Sequence, residues 1–132
     1  MPNFIFSAQL NHPIDSAIEI LRTTLMKHHF GIISDINVAA IIKTKLDEDM
    51  PAYRILGACN PKMAKGMIDE IPQAGALLPC TIVARELEGG NTTFDFMDPV
   101  AVLGIANNAM MDKVAADAKQ KLEAVVVELG NI

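Results

Sequence analysis

The stretch from Tyr53 to Thr81 constrains this chain most: two strand-like apolar runs flank a helix, and a cysteine stands at the end of each run. Tyr53-Arg54-Ile55-Leu56-Gly57-Ala58-Cys59 is apolar at nearly every position, the pattern of a strand covered on both faces. Asn60-Pro61 follows, a good helix cap and then the residue type favoured at the first helical position. Ala64, Met67, Ile68 and Ile71 give that helix an apolar stripe, which Pro72 stops. Gln73 to Ala76 reads as a loop, and Leu77-Leu78-Pro79-Cys80-Thr81 leads into a strand spanning Pro79 to Leu87. Strands and helices interleaved in this way need a sheet with helices packed on it, an α+β domain.

The rest of the chain fits that frame. Phe4 to Gln9 predicts a first strand with Phe4, Phe6 and Ala8 on one face. Ile14, Ala17, Ile18, Leu21 and Leu25 share one side of a helix. Lys27, His28 and His29 complement the negative end of its dipole, and Gly31 is placed to end it. Adjacent histidines point apart on a helix and cannot easily share a metal ion, so capping is the preferred reading of that pair. Gly31 to Ile36 predicts a second strand, and Asn37 caps a short helix over Val38 to Leu46 with Val38, Ile42 and Leu46 along it. Glu88-Gly89-Gly90-Asn91 joins the Pro79–Leu87 strand to one over Thr92 to Met97, the turn chemistry of a hairpin. Asp98-Pro99 repeats the cap-then-proline device, and after Asn107-Asn108 a final helix carries Met111, Val114, Ala115, Ala118, Leu122, Val125 and Leu129.

Composition bounds the function. At 132 residues, without a linker or repeat, residues 1–132 read as one domain. Net charge is −5, with 4 basic against 10 acidic residues in 67–132, and no Lys/Arg stripe able to neutralise a run of phosphates. Nucleic acid is therefore not an expected partner. No apolar run reaches transmembrane length and the start lacks a signal-peptide pattern, so a cytoplasmic protein with two reduced, buried thiols and no membrane contact is expected. A mean hydropathy of +0.28 predicts apolar surface covered by a second copy, a homodimer.

His29-Phe30-Gly31, the Tyr53-to-Pro61 run, Leu77-Leu78-Pro79-Cys80 and Phe96-Met97-Asp98-Pro99 together resemble the signature of the domain-of-unknown-function family 302, in order and over nearly the whole chain. The resemblance implies a TBP-like fold, a curved and mainly antiparallel sheet of about five strands with helices packed on it. It also implies frequent homodimers and no established activity. One departure is Thr81, where the family often has Asn, so no role of that amide carries over.

No P-loop, dinucleotide, zincin or nucleophile-elbow motif occurs, the cysteines are unpaired in sequence, and no cofactor or metal is expected. Fold alone does not fix function. The candidate ligand site is Arg54, Cys59, Asn60, Cys80 and Asp98: two helix N-termini that favour an anion, a guanidinium fork, and two thiols at strand ends. Each also has an ordinary role, as cap, ion-pair partner or small core residue. Two readings follow: a homodimeric binding module for a small anion or a protein partner, and a thiol-dependent enzyme or redox protein using Cys59 or Cys80. No catalytic residue is assigned.

Overall fold

The computed structural model describes residues 2–132. Five strands, β1 (Ile5–Leu10), β2 (Gly31–Asn37), β3 (Tyr53–Cys59), β4 (Cys80–Glu86) and β5 (Thr92–Met97), form an open antiparallel sheet in the order β1-β5-β4-β3-β2. Consecutive strands β2 to β5 lie side by side. Helix α1 (Ile14–Lys27) carries the chain from one edge of the sheet to the other. The remaining helices are α2 (Val38–Leu46), α3 (Pro61–Glu70), α4 (Pro99–Leu103) and α5 (Ala109–Leu129).

Period-two alternation sorts the strand residues. Phe6, Leu10, Leu56, Ala58, Ile82, Ala84, Phe94 and Phe96 face Ala17, Ile18, Leu21 and Leu25 of α1 and Leu122, Val125 and Leu129 of α5, in one continuous core. Phe6 and Phe96, directly paired across β1 and β5, stack with ring centroids 5.5 Å apart. A second, smaller core joins Met67 of α3, Ala74, Leu103 of α4, and Met111 and Ala115 of α5 beyond one rim of the sheet.

Several expectations are corrected. The Tyr53–Cys59 run is not covered on both faces: Leu56 and Ala58 lie under the helices, while Tyr53 and Ile55 are only half-buried on the opposite face. Its apolarity reflects a central strand whose second face is open. Gly31 does not end α1. The chain turns at His29 (φ 68), with the Phe30 N–H bonded to the Leu25 carbonyl and the His29 N–H to the Met26 carbonyl, a Schellman closure two residues earlier. Pro72–Leu77 is a 3-10 helix where a loop was expected, and β4 begins at Cys80. Helix α2 buries none of its residues, so its apolar positions do not build core.

The caps and the hairpin form as expected. Asn37, Asn60 and Asp98 accept hydrogen bonds from the N–H groups of Ala40, Met63 and Val100 at 3.0, 3.2 and 2.9 Å. Gly89 and Gly90 take φ of 90° and 88° at the β4–β5 turn.

Candidate functional site

The five candidate residues divide between two ends of the sheet. Antiparallel pairing of Ala58 with Cys80, and of Ile82 with Phe96, brings the end of β3, the start of β4 and the end of β5 to one rim. Cys59, Asn60, Cys80 and Asp98 therefore gather there. Arg54 does not: it lies five residues back along β3, about 17 Å at strand rise, at the opposite rim. Its Nε donates to Asp35 Oδ1 at 3.0 Å, its Nη2 to Asp35 Oδ2, and its Nη1 to Asp15 Oδ1 at 2.7 Å. The fork thus ties β3 to β2 and to the start of α1. The hydrogen bond from Arg54 holds the Asp35 carboxyl below the usual range against its partial burial.

At the gathered rim the polar groups are already engaged. Asp98 caps α4 and also accepts from Lys119 Nζ at 2.8 Å, joining α4 to α5. Burial works to raise its pKa, but the hydrogen bonds from Lys119, Val100 and Ala101 outweigh it and the carboxyl is held low. Cys59, Asn60 and Cys80 line a cavity with Phe30, Met63 and Leu103, but its interior is about 20 Å³, room for about one water molecule. Ligand pockets are typically some 300 Å³ or more. Burial raises both thiols, Cys80 to about 11 with a smaller contribution from Cys59 beside it. The rim is a packed junction between the two cores.

The open face of the sheet holds a feature that sequence reasoning missed. Residues 7, 85 and 95 lie on three adjacent strands, far apart in sequence and close in the β1-β5-β4 order. Arg85 Nε donates to Asp95 Oδ2 at 2.6 Å, and Ser7 Oγ donates to Asp95 Oδ1 at 2.8 Å. The Asp95 side chain is 12 % exposed and the Arg85 side chain 44 %. Around them is a depression of about 600 Å³, whose walls include Phe4, Ile5, Gln9, Tyr53, Val83 and Thr93. The alternation Thr81, Val83, Arg85 against Ile82, Ala84 was a sequence signal that these positions face away from the core. The pairing with Asp95 and Ser7 had no local signal.

Among the described residues no group of three His, Cys, Asp or Glu side chains is placed to hold a metal ion, and no helix is long and apolar enough to cross a membrane.

The family model described as "Domain of unknown function DUF302" matches residues 6–129. The chain belongs to the DUF302 family. The crystal structure of an uncharacterized conserved DUF302 protein from Bacillus stearothermophilus superposes with a TM-score of 0.85 at 25 % identity, covering 95 % of this chain and 97 % of that one. No curated protein matches. The family membership and the α+β fold thus agree with what the sequence motifs implied, and neither supplies an activity for this DUF302 chain.

Proposed function

We propose that this protein is a non-catalytic binding module that takes a small anion, a carboxylate or phosphate carried on an apolar body, on the open sheet face at Arg85. The observation that carries the proposal is the fixed guanidinium: Nε is held by Asp95, Asp95 is held by Ser7, and the two Nη groups have no protein partner among the described residues. A guanidinium fixed through Nε presents its remaining donors at no further conformational cost, and forked donors suit carboxylate and phosphate oxygens. Phe4, Ile5, Val83 and the Tyr53 ring supply apolar walls, and the depression falls in the size range of small-molecule sites. Because Asp95 balances the charge of Arg85, affinity comes from the fork and the walls together, and inorganic phosphate alone should bind more weakly than phenyl phosphate.

Thiol chemistry has no comparable support, since burial disfavours the thiolate at both cysteines. Calorimetric titration with phenyl phosphate tests the proposal. Arg85→Met should weaken binding at least tenfold, and Asn60→Ala at the rim should leave it unchanged. Equal binding by wild type and Arg85→Met contradicts the proposal.

A further inference from the structure

The two edges of the sheet are unlike. β2 carries the devices that keep an exposed edge from pairing: a register shift between Ile32 and Ser34, and the charge of Asp35. β1, Ile5-Phe6-Ser7-Ala8-Gln9-Leu10, has no charge, proline or bulge, and pairs with β5 in unbroken register over all six residues. The Phe4 carbonyl accepts from the Asp98 N–H at 2.7 Å, which makes Phe4 and Asp98 a hydrogen-bonded pair. By the antiparallel alternation, Phe6, Ala8 and Leu10 turn their backbone groups toward β5, and Ile5, Ser7 and Gln9 turn theirs outward. No backbone partner for those outward groups occurs among the described residues.

We infer that β1 is the interface between two copies of this chain, joined antiparallel about a two-fold axis at Ser7. The outward set is self-complementary. Ile5 of one copy stands opposite Gln9 of the other and Ser7 opposite Ser7, giving roughly six interchain hydrogen bonds and one sheet running through both copies. Phe6 and Ala8, half-buried beside the edge, and Phe4, 55 % exposed, gain apolar cover from the second copy. The side chains of Ile5, Ser7 and Gln9 lie on the open face and line the Arg85 depression, which reaches the β1 edge. Pairing therefore places the two depressions side by side across the axis.

The test combines sedimentation at micromolar concentration with oxidative cross-linking in a Cys59→Ser background. Paired residues of this kind lie ~5.5 Å apart at Cα, within disulfide range. The wild type should sediment at twice 14.3 kDa, and Ser7→Cys should yield more than half covalent dimer on mild oxidation. Ser7→Pro, which removes an outward N–H and no backbone bond to β5, though it also removes the Ser7 Oγ–Asp95 hydrogen bond, should sediment as a monomer with an unchanged circular dichroism spectrum. A monomeric wild type overturns the inference. So does a dimer that cross-links through Ile36→Cys on β2 and not through Ser7→Cys. The outcomes separate from those of the ligand proposal because binding is read on the wild type, whose Ser7–Asp95 bond is intact: a wild-type monomer that binds phenyl phosphate through Arg85 overturns the edge interface alone, and a wild-type dimer that does not bind it, with cross-linking through Ser7→Cys, supports the interface and overturns the ligand site alone.

Discussion

Gly57 is the residue at which the rim is most tightly specified. A Cβ placed there would lie 2.6 Å from Pro79 Cγ and would also strike Ser34 Oγ. Ser34 can rotate away, but the Pro79 ring cannot, so Gly57→Ala should destabilise by roughly 1–3 kcal/mol through overpacking, read as a lower urea midpoint at unchanged slope. A variant as stable as the wild type would show that the junction yields more easily than the packing implies. Cys80 carries the second prediction at this scale. With its thiol pushed up to about 11 and its side chain buried, alkylation at pH 8 should be slow and limited by unfolding, whereas half-buried Cys59 should react sooner. Rapid native-state labelling of Cys80 would return thiol chemistry to consideration. At single residues the sequence was most legible where the signal was local. Asn37, Asn60 and Asp98 act on N–H groups two or three residues ahead, as their types and spacing implied. Arg54 was legible as a charged fork but not as a paired one, because Asp35 and Asp15 reach it only through the fold.

Elements were legible where an apolar period met a clear terminator. α1, α5 and the β4–β5 hairpin follow from period and turn chemistry, whereas the end of α1 does not, because His29, not the nearby glycine, takes the left-handed conformation. Such conformations are uncommon outside glycine, though His is among the exceptions. The 3-10 helix at Pro72–Leu77 looks like a loop in sequence because six residues carry no resolvable helical period. Asp98 joins two elements, capping α4 and binding Lys119 of α5, and this sets a pH dependence. Its folded pKa is depressed, so its contribution is fully present above the ordinary carboxylate value of 3.8 and is lost as pH falls below that through the folded value. Asp98→Asn keeps the cap and removes the ion pair. The variant should be less stable than the wild type at pH 7, and the difference should shrink progressively as pH falls below 3.8, measured by urea unfolding. A difference that persists unchanged to pH 2 would mean that the loss is one of packing, not of charge.

For the whole molecule, the order β1-β5-β4-β3-β2 decides what comes together, and little of it was written locally. The hairpin fixed only that β4 and β5 are neighbours. That β1 adds beside β5 rests on α1 crossing the helix-covered face of the sheet, and this placement brings Ser7 to Asp95 across 88 residues of chain. The same order explains the partial success at the candidate site. Three chain segments meet at one rim as strand ends, yet two helical cores close over it and leave only about 20 Å³. The opposite face of the sheet stays open, and there the only polar side chains tied across three strands surround Arg85 among the described residues. The most direct test of this placement is a two-dimensional NMR titration of the wild-type protein with phenyl phosphate. A ligand seated at Arg85 should give saturable shifts at the Arg85 Nε–H and at the amides of Gln9, Tyr53, Val83 and Thr93, with Asn60, Met63 and Cys80 unmoved. Shifts confined to Asn60, Met63 and Cys80 would contradict it and return the site to the rim.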